Sequence, residues 1–295
     1  RLRAKAPAGL SPHLLVMTAT PIPRTLALTV YGDLETSTLR ELPRGRQPIT
    51  TNTIFMTDKP RGLERAWARI VEGVRAGRQA YVVASRIDEN DKKTGTPDSG
   101  PPAITVTQLL DHLRAGPMAG LRLGLMHGKL PADEKDAVMA AFRAGQIDVL
   151  VCTTVIEVGV DVPNATMMVV VDADRFGISQ LHQLRGRIGR GAHASLCLLA
   201  TRLPEHSKAG ERLHAVASTL DGFELADLDL RERREGDVLG ANQSGRALSL
   251  RFLSLADHLE IILTAREFCE SLHQGDPQNR GMAMLAAQFT DDRVE

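Results

Sequence analysis

"IDVLVCTTVIEVGVDVPNATMMVVVDAD", residues 147–174, holds two apolar runs, VLVC and TMMVVV, separated by a segment that contains Gly159 and Pro163. Each run is short and almost unbroken, the pattern of a strand covered on both faces of a parallel sheet. Working outward, "TTNTIFM" (50–56), "AYVVASRI" (80–87), "LRLGLM" (121–126) and "ASLCLLA" (194–200) read as further strands. Between them lie helical patterns. Leu63, Ala66, Trp67, Ile70, Val71 and Val74 share one face of 63–75; Val106, Leu109, Leu110 and Leu113 share another; and 132–144 ends at Gly145. Alternating strand and helix implies one open α/β layer with a parallel sheet and crossover helices.

Composition narrows the function classes. The 295 residues are 43% hydrophobic, enough for one large or two ordinary domains with true cores. Lys plus Arg and Asp plus Glu both number 36, so any site for a polyanion must be local. Aromatic residues make up 3%, which argues against a grip built on base stacking. Cys152, Cys197 and Cys269 have neither metal-ligand nor redox spacing, and all three are expected to be buried in a reducing compartment. No residue is assigned as a metal ligand. No apolar run suits a membrane span or a secretory signal, so a cytoplasmic protein with no membrane partner is expected.

The residues with chemical potential cluster near the strand ends, where open parallel sheets bind ligands. Thr153 and Thr154 leave a strand ahead of Gly159 and Asp161. Hydroxyls and glycine suit phosphate oxygens, and an acid suits a ribose hydroxyl; an ordinary capped turn has the same letters. Arg86 and His127 end two other strands. In "QLHQLRGRIGRG" (180–191) a helical period would place Arg187 and Arg190 on one side, with Gln183 a turn earlier. Two guanidiniums on a rigid segment suit the charge of a transferring phosphoryl group; the alternative is a solvated basic helix end. Gly186 and Gly189 are costly in a helix and suggest the close approach of a neighbour.

Four segments in order, TAT (18–20), HG (127–128), TTVIEVGVDVP (153–163) and QLRGRIGR (183–190), resemble the later motifs of superfamily 2 helicases and translocases. Within them, "TATPIPRTLALTVYGDLETSTLRELPRGRQPITT" (18–51) is similar to the RecG family, while "DGFELADLDL" (221–230) and "GDVLGANQSG" (236–245) resemble the translocation element RecG shares with Mfd. The resemblance implies a RecA-like second helicase lobe that moves on duplex DNA to unwind branched junctions, including Holliday junctions, and to reverse stalled replication forks. It implies arginine fingers at Arg187 and Arg190 beside Gln183, nucleotide contacts at Gly159 and Asp161, DNA contacts at Thr153, Thr154, Arg86 and His127, and coupling roles for Thr18, Thr20 and Gln243. ATP and Mg²⁺ would be held mainly by a first lobe, because no G-x-x-x-x-G-K-[ST] loop is present and no DExx-type acid box is expected anywhere in the chain. Alone, the chain is expected to be inactive, its partners being branched DNA and the first lobe and wedge domain of the same protein near the nucleoid. An Mfd-like translocase and a non-catalytic binding module are the alternatives.

The same reading divides the chain into a first-lobe remnant and linker (1–47), the second lobe (48–202), and a region with a helical hairpin, a loop at 236–245 and two further helices, 254–273 and 278–288 (203–295). A strand is expected at 13–20.

Overall fold

The computed structural model describes residues 15, 17, 37, 47–87, 103–154, 161–232, 259–275 and 281. Thr18, Thr20, Gly159, Gln243, the loop at 236–245 and the helix expected at 278–288 lie outside the described residues, apart from position 281 of that helix. Leu15 and Met17 carry no strand and stand exposed, counter to the strand expected at 13–20; no described strand pairs with them.

Six strands form one all-parallel sheet: β1 (Ile49–Phe55), β2 (Gln79–Val83), β3 (Leu123–Met126), β4 (Val149–Cys152), β5 (Ala165–Val170) and β6 (Ser195–Thr201), in the order β1-β6-β5-β2-β4-β3. Their position explains their letters. Central β2, β4 and β5 are buried at every residue and are nearly all apolar, whereas edge strands β1 and β3 are only partly buried.

The two-residue period of β2 divides the core. Ala80 and Val82 face helices α1 (Gly62–Arg75) and α2 (Val106–Ala115), packing with Trp67, Ile70, Leu109 and Leu113. Tyr81 and Val83 face the other layer, made by α3 (Ala132–Arg143), α4 (Ile178–Arg185) and α5 (Lys208–Ser218), with Phe142, Leu181, Leu184 and Leu213. Local signals set the helix ends. Thr105 and Gln108 form a reciprocal capping box on α2, and Gly145 follows α3 with φ +71°, as the sequence implies.

Helices α5 and α6 (Gly222–Glu232) fall where the two arms of the expected hairpin were read, and α7 (Leu259–Gly275) follows. The chain clusters into two units, one holding residues 1–21 and 39–229, the other 22–38 and 230–295. In the first, Leu225 of α6 belongs to the core beneath α4 and α5. In the second, Ile261 and Phe268 of α7 stand exposed. Cys152 and Cys197 are buried, but Cys269 is exposed, which corrects the expectation for all three; the 267–271 stretch of α7 is exposed throughout.

Candidate functional site

The candidate residues fall into two groups at opposite edges of the sheet. The first lies at the carboxyl edge of β2, β4 and β3, which are neighbours. Val83, Cys152 and Met126 are in register, so Ala84, Thr153 and His127 come next in line on the three strands. Ladder bonds continue one step beyond: the Ala84 amide donates to Cys152 O at 2.9 Å and the Thr153 amide to Met126 O at 3.2 Å. Arg86 follows two residues on, in a bridge to Thr105 ahead of α2. Arg86, His127, Thr153 and Thr154 are thereby brought to one edge. Thr153 is buried and Thr154 half-buried, so Thr154 offers the more accessible hydroxyl. His127 Nδ1 is buried and has no hydrogen-bond partner among the described residues. Lys135 donates to Gly128 O at 2.9 Å, pinning the turn after His127.

The second group lies toward the amino edge: Gly189 packs against Ile49 at the start of β1, and Gly191 against Pro163, two residues ahead of β5. Asp161 is therefore not at a carboxyl end, where the sequence order suggested it would be. Arg190 reaches it: the two side chains form an ion pair, and Arg190 Nε also donates to Gly186 O at 3.0 Å. Arg187 is half-buried, and Gln183 sits in the last turn of α4. Burial pushes the Tyr81 phenol well up, while the charges of Arg187 and Arg190 oppose that shift.

Arg187 and Arg190 do not share a helix face. Helix α4 ends at Arg185, Gly186 is its cap, and Gly189 adopts φ +71°, so the chain turns between the two arginines. The glycines answer to the protein's own packing. A Cβ on Gly189 would come within 2.7 Å of Ile49 Cγ1, and one on Gly191 within 2.6 Å of Pro163 O.

Two contributors escape a reading by residue type. Arg185 looks like its neighbours, yet it is 2% exposed and donates to Val216 O at 2.7 Å and Thr219 O at 2.8 Å, beside a contact to His182 Nδ1. It ties the end of α4 to the end of α5. Its spacing from the apolar Ile178 and Leu181, seven and four residues back, was the available signal. Asp172, just after β5, is buried with φ +51°, a conformation that nothing in the letters DAD announces. Counter to the expectation of no acid box, the strings Asp88-Glu89-Asn90-Asp91 and Asp133-Glu134-Lys135-Asp136 both have its letters; the first lies outside the described residues, and the second is in the first turn and a half of α3 rather than at a strand end.

Comparison with known proteins follows the same outline. The family model "Helicase conserved C-terminal domain" matches residues 96–192, and "ATP-dependent DNA helicase RecG, domain 3, C-terminal" matches 219–291. The chain is 67% identical to the ATP-dependent DNA helicase RecG of Mycobacterium bovis over 100% of its own length and 40% of that protein. It is 44% identical to the Bacillus subtilis protein of the same name, over 91% of this chain and 37% of that one. A solved structure of RecG bound to a three-way DNA junction superposes with TM-score 0.60 at 38% identity, covering 75% of this chain and 27% of that one. The chain thus spans about two fifths of the length of these curated relatives. With a RecA-like parallel sheet and a RecG domain 3 match along one polypeptide, it belongs to the RecG family.

Proposed function

We propose that this chain is the second motor lobe and translocation element of an ATP-dependent DNA helicase that moves on duplex DNA to unwind branched junctions and reverse stalled forks, in repair and recombination. The observation that carries the reading is the turn bearing Arg187 and Arg190 beside Asp161, in a chain 67% identical throughout to RecG. In this reading residues 1–47 are a remnant of the first lobe and a linker, 48–202 are the second lobe, and 203–295 carry the helical hairpin, the translocation loop and the C-terminal helices.

The donor set fits part of a nucleotide site, with two guanidiniums on one tight turn and an exposed carboxylate within reach of one of them. Arg187 and Arg190, with Gln183 beside them, would hold the γ-phosphate end of ATP, and Gly159 and Asp161 the ribose side, while Mg²⁺ would be held by the first lobe. Hydrolysis supplies the free energy of movement; this chain's residues neutralise charge and orient. Thr153, Thr154, Arg86 and His127 would meet the DNA backbone at the opposite edge, so the sheet separates the two ligands. Thr18, Thr20 and Gln243 would transmit lobe closure. Branched DNA, the first lobe and a wedge domain are the partners, and the location is cytoplasmic, at the nucleoid. The match to RecG domain 3 favours this reading over a transcription-coupled one.

The test is Arg190→Ala in the full-length enzyme. It should lower kcat for DNA-stimulated ATP hydrolysis at least about a hundredfold while DNA affinity changes little. Unchanged kcat would remove the finger assignment, and steady ATP turnover by the present chain alone would overturn the two-lobe reading.

A further inference from the structure

Asp172 is the one non-glycine residue with positive φ among the described residues, at φ +51° and ψ +48°. Asp enters this region more readily than most residues, but the conformation persists only where its surroundings hold it. What holds it is a buried carboxylate with three donors. Arg202 grips it with two prongs, Nε to Oδ1 at 3.0 Å and Nη2 to Oδ2 at 2.9 Å, and the Ile104 amide donates to Oδ2 at 3.1 Å.

The Ile104 contact gives the carboxylate a reach beyond its own turn. The next residue, Thr105, caps α2 and forms the bridge to Arg86, where the Val106 amide donates to Arg86 O at 2.9 Å. Arg86, Ile104, Asp172 and Arg202 also line one cavity of about 650 Å³ at the carboxyl edge. One acid thus fixes the backbone across from Arg86 and holds a second arginine beside it.

We infer that Asp172 is a positioning residue for DNA: through Ile104 and Thr105 it sets where Arg86 leaves β2 and presents its guanidinium to the phosphate backbone. This rests on the reading of Arg86 as a DNA contact. Asp172 itself touches no DNA.

The test uses full-length enzyme and a three-way DNA junction, reading DNA-stimulated ATP hydrolysis against DNA concentration at several salt concentrations. Asp172→Gly keeps the backbone conformation but removes the carboxylate. It should raise the half-saturating DNA concentration at least about fivefold, lower the salt slope by about one, and leave kcat within about twofold. Asp172→Asn keeps the conformation and one acceptor for Ile104 but sets an amide NH2 against a donor of Arg202, so its half-saturating DNA concentration and salt slope should fall between those of the parent and Asp172→Gly. Arg86→Gln should reproduce the loss of affinity and slope, and the Arg86→Gln, Asp172→Gly double variant should be no weaker than Arg86→Gln. Normal DNA response in Asp172→Gly with a defective Arg86→Gln overturns the positioning role and leaves the Arg86 contact standing. A normal Arg86→Gln removes the contact and the inference with it. If Asp172→Gly does not fold, Arg202→Lys, which gives up the two-pronged grip, carries the test; an unchanged salt slope and affinity there overturn the proposal.

Discussion

Replacing Arg185 with alanine should destabilise the sheet-bearing unit far more than replacing any other arginine of the 185–190 run. The side chain is 2% exposed, and its guanidinium makes two charge-assisted bonds, one to a buried carbonyl at Val216 and one to a half-buried carbonyl at Thr219. Such bonds contribute about 1.5–3 kcal/mol each, and an acceptor left dry costs its desolvation besides. Water can reach the Thr219 carbonyl more easily than that of Val216, so a net loss of about 3 kcal/mol is expected. For a unit of this size that lowers Tm by about 6–12 °C. Thermal unfolding followed by circular dichroism measures it, with Arg187→Ala as the control, expected to shift Tm by less than about 2 °C. Arg185→Lys keeps a charge but not the fork that spans both carbonyls, and should recover about half of the loss. If Arg185→Ala unfolds within about 2 °C of the parent, the clamp between α4 and α5 is not what holds these helices together.

Gly189→Ala must place a Cβ at φ +71° and 2.7 Å from Ile49 Cγ1, so it should lower stability by about 1–3 kcal/mol in chemical denaturation, and a neutral result would refute the geometry of the turn. With a thiol reagent the native chain should show one fast-reacting cysteine, Cys269, since Cys152 and Cys197 are buried and burial pushes the Cys197 thiol up to about 12; three fast thiols without denaturant would contradict the core. The hydrogen bond from Arg122 holds the Asp148 carboxyl below its usual range. That contribution is complete above the ordinary aspartate value of about 4 and fades as pH falls through the lower folded value, so Arg122→Gln should flatten the acid limb of a stability–pH curve; an unchanged limb would show that the pair does not drive it.

Most of the sheet was legible because buried parallel strands write themselves as VLVC or AYVV, and their crossover helices as apolar spacings such as Ala66, Trp67 and Ile70. Strand order was not legible: nothing in the letters of β1 says that its neighbour is β6. The grouping of Arg86, His127 and the two threonines could be anticipated from their common place after strands. The geometry of Arg187 and Arg190 could not, because a helical period was extended through Gly186, where the backbone in fact leaves the helix. Arg185 and Arg187 differ only in burial, a property of the folded chain. Asp172 owes its importance to a backbone angle and to partners 30 and 68 positions away, neither of which a local pattern records.

The pairing of β1 with β6 governs how this lobe can be made. Thr57, just past β1, donates to the carbonyl of Arg202, just past β6, across 145 positions of chain. A ribosome adding about 5–20 residues per second delivers β6 on the order of 10 s after β1. Throughout that interval the first strand of the sheet is out of the tunnel with its neighbour not yet synthesised. Its letters, Thr50, Thr51, Asn52 and Thr53, carry no charge and no proline, the devices that blunt an exposed edge, so the strand that waits longest for its neighbour is also one that a nascent chain on the same messenger could pair with.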